Sequence, residues 1–137
     1  CGIKTDQTLA CSGDNSLGQL NVPKGQANAQ WTALTAGNQH TCAARNDNRL
    51  LCWGRNDEGQ MGNGDKGSNI FPVDGVKIGA APLSVGSSAR PGVAAGSNHV
   101  CAINTDRTLW CWGDNSAGQL GDGSAWKATP QQVRFPD

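Results

Sequence analysis

Short runs of alternating apolar, small and polar residues come along this chain in pairs, and each pair is divided by a polar cluster. One pair reads His40-Thr41-Cys42-Ala43-Ala44, then Asn46-Asp47-Asn48, then Leu50-Leu51-Cys52-Trp53-Gly54. Such flanks around an Asn/Asp cluster predict strand, turn, strand, because these residues tolerate the left-handed backbone that a tight turn requires. The pattern returns around Asp6 and Asp106. Hairpins centred on Asp6, Asp47 and Asp106 place Cys1 opposite Cys11, Cys42 opposite Cys52, and Cys101 opposite Cys111. Opposite residues in an antiparallel pair have Cβ atoms about 4.5 to 5.5 Å apart, near what a disulfide needs. Three local disulfides are therefore expected, using all six cysteines. Each contributes roughly 2.5 to 3 kcal/mol in the chain-entropy model, less any cross-strand strain.

A Gly/Asn-rich passage follows each hairpin: Gly13 to Leu20, Gly54 to Met61, and Gly113 to Leu120. Its constant Gly-x-Asn-x-x-Gly-Gln-apolar order predicts a backbone-controlled corner. Gly18, Gly59 and Gly118 are expected to take positive φ or allow close approach, and the following Gln to bond to the backbone. Pro23, Pro72 and Pro130 come after the corners and suit an outer or edge strand, where a missing N–H is harmless. The stretches from Ala36 and from Ala95 repeat almost word for word at an offset of 59 residues, and the first unit is a shorter copy. Such periodicity marks one supersecondary unit reused, which buries its apolar face only against neighbours. The units divide as 1–41, 42–100 with a long variable insertion, and 101–137.

Composition narrows the means of stabilisation. With two Phe, no Tyr, one Met and 19 Gly in 137 residues, the core must come from small aliphatics, Trp and cystines. Net charge is zero and the charged residues form no blocks, so neither nucleic acid nor an anionic membrane is expected as a partner. No apolar run is long enough for membrane insertion. Paired cysteines point to an oxidising compartment, extracellular or periplasmic. A chain that starts on Cys1 rather than Met reads as a processed or partial product.

The recurring order Ala-Gly-x-x-His-x-Cys-Ala, a short turn, Leu-x-Cys-Trp-Gly, then Asn-x-x-Gly-Gln resembles the regulator of chromosome condensation repeat family over essentially the whole chain. The resemblance implies an all-β fold of four-stranded antiparallel propeller blades, about three of an expected seven. The cysteine pairs depart from the nuclear members' pattern and look like a secreted, bacterial-type variant, and the short first unit is similar to repeats of the β-lactamase-inhibiting branch. Ser12 stands where the other units have Trp53 and Trp112, so the first blade is expected to lack one indole anchor. Three blades do not close a ring. A piece of a longer propeller is favoured over a self-complementing oligomer.

Several constellations suggest chemistry. His40 and His99 each precede a cysteine by two residues, a partial zinc set, but a fourth ligand is missing and disulfides use both sulfurs. Both histidines are expected instead to bond to an adjacent blade's backbone. Acidic stretches such as Asp14-Asn15-Ser16 lack a full calcium-loop series. No metal, cofactor or catalytic residue is assigned. Trp110 and Trp112 should share one strand face, while Trp31 and Trp126 fall outside the constant motif and weigh burial against an exposed contact.

The function expected is a non-enzymatic binding module that presents its variable loops to a protein partner. Arg90, Trp126 and Lys127 are the expected contacts, with the insertion from Asp65 to Ser88. The alternative is a structural or adhesive repeat protein that associates with itself. An exposed Trp also leaves a carbohydrate ligand open. Guanine-nucleotide exchange, the activity of nuclear relatives, does not suit an oxidising compartment.

Overall fold

The computed structural model describes residues 1–23, 29–67, 75–78, 81–82, 85 and 92–135. The described strands are β1 (Gly2–Ile3), β2 (Leu9–Ala10), β3 (Trp31–Ala36), β4 (His40–Arg45), β5 (Leu50–Gly54), β6 (Lys77–Ile78), β7 (Ala81–Pro82), β8 (Val93–Ala95), β9 (His99–Ile103), β10 (Leu109–Asp114) and β11 (Trp126–Gln132). They pair antiparallel with their sequence neighbours. One sheet is the four-stranded meander β8–β11, a second is β3–β5, and β1–β2 and β6–β7 are two-stranded. The second sheet carries a partial fourth position, since the Val76 N–H donates to the Leu50 carbonyl as Val133 does to Leu109, both at 2.9 Å. These sheets are blades of a β-propeller, with inner strands β3 and β8 side by side.

Each hairpin turn forms around its aspartate. The Gln7, Asn48 and Arg107 N–H groups donate back to the carbonyls of Lys4, Arg45 and Asn104. Asp6, Asp47 and Asp106 accept the N–H two residues on, at 3.0, 3.2 and 2.9 Å. This is a type I turn closed by one left-handed residue. That residue is Gln7, Asn48 or Arg107, with φ of 64°, 65° and 70°. Only Asn48 is of the residue type the turn cluster led one to expect. At the other two positions the aspartate acceptor and the fixed strand register hold the turn, outweighing roughly 1 kcal/mol of left-handed strain.

The register pairs Cys42 with Cys52 and Cys101 with Cys111, and all three disulfides form, with Cα atoms 3.9 to 4.1 Å apart. Alternation then sorts each blade into two faces. In the second blade Cys42, Ala44, Leu50 and Cys52 point forward, into a core shared with Val100, Ala102 and Trp112 of the third. Ala43, Leu51 and Trp53 point back onto Trp31 and Leu9. The Cys42–Cys52 disulfide therefore lies on the forward face, where Trp112 of the third blade covers it.

Pro130 lies on β11, the edge strand, beside a bulge, as expected. Pro23 lies outside the described strands. Pro72 is outside the described residues.

Candidate protein-binding surface

The corner that ends each hairpin is built by two side chains. Asn15, Asn56 and Asn115 accept through Oδ1 from the N–H of the apolar residue five positions on, at 2.8, 2.9 and 2.6 Å. Gln19, Gln60 and Gln119 accept through Oε1 from the N–H two positions back, at 2.9 to 3.0 Å. Gly18, Gly59 and Gly118 between them have φ of 75° to 78°, which a side chain rarely tolerates. At Gly59 an added Cβ would also stand 2.6 Å from the Ala128 backbone. Both expectations for the corner hold.

The corner also fastens one blade to the next. The Trp53 indole donates to the Gln19 carbonyl at 2.9 Å, and the Trp112 indole to the Gln60 carbonyl at 2.8 Å, all four residues being buried. In the outer two corners the Gln Nε2 donates to Asp14 or Asp114. The second corner has Arg55 at that position, and Gln60 Nε2 is left buried without a partner.

His40 does not make the bond to the neighbouring blade that its position suggests. It is 1% exposed and neither ring nitrogen has a partner. Burial, and secondarily the nearby His99, lowers its pKa to about 4. The motif has a steric reason instead: the Gly37 N–H bonds to the His40 carbonyl, and the imidazole fills the space where a Gly37 side chain would stand, 2.1 Å from an ideal Cβ. Gly96 and His99 repeat the arrangement. The six sulfurs are all in disulfides, and among the described residues no three His, Cys, Asp or Glu groups gather.

Of the expected contact residues, Trp126 and Lys127 begin β11, at the corner end of the third blade. Trp126 is 43% exposed. Lys66 Nζ stands 3.6 Å from its ring centroid and leans on Glu58 at 3.8 Å, so the indole has a cation from the second unit over one face. Lys66 lies in the insertion from Asp65 that was expected to make contact, but nothing local in the sequence links it to Trp126. Trp31 is buried edge-on to Trp53, with centroids 6.2 Å apart, and presents no surface. Trp110 and Trp112 share a face as expected, joined to the same core. Arg90 and much of the insertion lie outside the described residues.

Models of the regulator of chromosome condensation (RCC1) repeat match residues 47–103 and 106–137, and in a second form 31–60 and 92–119. The chain belongs to this family. It is 30% identical to the probable E3 ubiquitin-protein ligase HERC6 of Homo sapiens, over 96% of this chain and 14% of that protein. It is 32% identical to the ultraviolet-B receptor UVR8 of Arabidopsis thaliana, over 79% of this chain and 23% of the receptor. Among solved structures, human WBSCR16 matches with TM-score 0.72 at 20% identity, over 90% of this chain and 34% of that one. Prp20p of Saccharomyces cerevisiae matches with TM-score 0.66 at 21% identity, over 90% and 33%. This RCC1-repeat chain thus spans from 14% to 34% of the length of these relatives.

Proposed function

We propose that the chain is a secreted, non-enzymatic binding module, a disulfide-stabilised run of propeller blades whose corner-end loops meet a protein partner. The observation that carries the reading is Trp126, a large aromatic residue exposed beside Lys66 and Lys127 on blades where Trp31, Trp53 and Trp112 are buried and Trp110 is half-buried. Rigid blades with variable loops suit this task, since binding residues concentrate on loops held by a scaffold. The family supports a protein partner in general: yeast Prp20 has been solved bound to Kap60, and its binding to Gsp1p and histones has been studied. Three disulfides support an oxidising compartment.

Two measurements test this. Material from the native source should have the intact mass of a chain without free thiols, whereas a fully reduced mass argues against secretion. Cross-linking to proteins of the same compartment should yield one product that W126A and K127E both abolish. Retention of that product in both variants moves the contact elsewhere.

A further inference from the structure

We propose that the second corner carries a binding site for one carboxylate group, held between the Gln60 side-chain amide and the Arg55 guanidinium. Its source is an aspartate or glutamate side chain of a protein partner, a step that rests on the protein-binding reading. In the first and third corners the chain supplies that carboxylate itself. Gln19 Nε2 donates to Asp14 Oδ2 at 3.1 Å, and Gln119 Nε2 to Asp114 Oδ2 at 2.9 Å. The second corner has Arg55 at this position. Gln60 is 0% exposed, and its Nε2 has no acceptor among the described residues. The amide is fixed in this orientation, because its Oε1 accepts the Glu58 N–H at 3.0 Å. The corner lies between two described units: an added Cβ at Gly54 would stand 3.3 Å from the Gln19 Cα, and one at Gly59 would stand 2.6 Å from the Ala128 Cα. The missing acceptor is therefore a property of this corner's own residues.

The two occupied corners define what the second one takes: a carboxylate with one oxygen on the glutamine Nε2. Arg55 supplies the charge that attracts it. Its Nε donates to Asp57 at 2.8 Å and its Nη1 to Gln39 Oε1 at 3.2 Å, while its Nη2 meets no acceptor among the described residues. The second carboxylate oxygen completes a charge-assisted bridge there. Asp57 does not do this work, since its carboxylate is engaged by Arg55 and leaves Gln60 Nε2 without a partner. The Arg55 side chain is 29% exposed, so a ligand meets the guanidinium from solvent. A buried donor left unbonded is costly, and an acceptor that reaches it gains more than one bound at the surface.

The test is an NMR titration of the isotope-labelled protein in which sodium acetate replaces sodium chloride at constant ionic strength. The Gln60 side-chain amide signals should move saturably, while those of Gln19 and Gln119, already bonded to carboxylates, stay in place. R55A should weaken acetate binding about tenfold or more, as for a lost charged hydrogen bond. R55D/D57S, which gives this corner the residues of the first, should abolish the Gln60 shift. An absent or unsaturated Gln60 shift overturns the proposal, as does equal movement of all three glutamines. Both readings come from the unaltered protein and do not depend on how a variant folds. Acetate saturation that persists in R55D/D57S also overturns it. The source of the carboxylate is read from the cross-linked product: its loss in R55D/D57S assigns the carboxylate to the partner. A product that depends on Trp126 and survives R55D/D57S overturns the partner as the source and leaves the protein-binding reading standing. No product at all, with Gln60 still saturated by acetate, overturns that reading and leaves the site standing.

Discussion

The hairpins that hold Cys1–Cys11 and Cys42–Cys52 share their length, their aspartate-centred turn and their disulfide, yet they meet opposite environments. Cys42 and Cys52 are 0% and 1% exposed, while the first hairpin is exposed nearly throughout. Neither turn chemistry nor register explains this, because both are the same. The second hairpin has a blade on each face: Trp112 closes over its disulfide, and its own Trp53 reaches back to the first unit. The first hairpin has Ser12 where Trp53 stands. One local design is thus buried where a described blade lies on each of its faces.

The sharpest way to break the contrast is to give the second hairpin the first one's residue. Trp53→Ser removes a fully buried indole and the donor to the Gln19 carbonyl, and should cost about 3 to 5 kcal/mol in denaturant unfolding. A loss under about 1 kcal/mol for Trp53→Ser would show that the blades are not held through this face.

A pH series probes the second hairpin through His40. Its folded pKa of about 4 lies below the ordinary 6.5, so the unfolded chain takes up the proton first as pH falls. The contribution is fully present above about pH 6.5 and declines down to about pH 4, by roughly 3 kcal/mol. His40→Leu should flatten that slope. The Thr8 hydroxyl and N–H lower the Asp6 carboxyl, and Thr108 does the same for Asp106, so any loss from these groups falls below about pH 4, outside the histidine window. An unchanged slope in His40→Leu would transfer the effect to another group.

Glycine substitutions set the two environments against each other more finely. At Gly37 an added Cβ meets His40 at 2.1 Å and the Gly96 carbonyl at 2.6 Å, whereas at Gly2 nothing lies within 4 Å. Gly37→Ala should cost about 1 to 3 kcal/mol and Gly2→Ala about 0.5 kcal/mol or less, as read by thermal unfolding. Similar values at both sites would mean that the ring does not occupy the glycine's space.

The smallest expected effect is a gain. Arg55→Asp combined with Asp57→Ser gives the second corner the residues of the first, supplying an acceptor for Gln60 Nε2. It should stabilise by about 1 kcal/mol, net of the exposed Arg55–Asp57 pair at 2.8 Å, which is worth little. Destabilisation would imply that the Arg55 bond to Gln39 outweighs the buried amide.

The local pieces were legible in the sequence because their causes are local. Ten-residue cysteine spacing about a central aspartate fixes a hairpin register by counting, and the positive-φ glycines and backbone-bonding glutamines of the corners follow from chemistry within eight residues. Repetition established that these pieces must stack, since each leaves one face uncovered. Only the tertiary structure decided which face each residue takes and what lies against it. The indole-to-carbonyl bonds from Trp53 to Gln19 and from Trp112 to Gln60 join residues distant in sequence. So do Lys66 over Trp126 and Val85 on Asn48. His40 shows the same limit from the other side: its spacing from Gly37 is local, but its loss of both hydrogen-bond partners depends on the blade that packs over it. Burial is a property of the assembled neighbours, so a motif written three times in one sequence acquires three different surroundings.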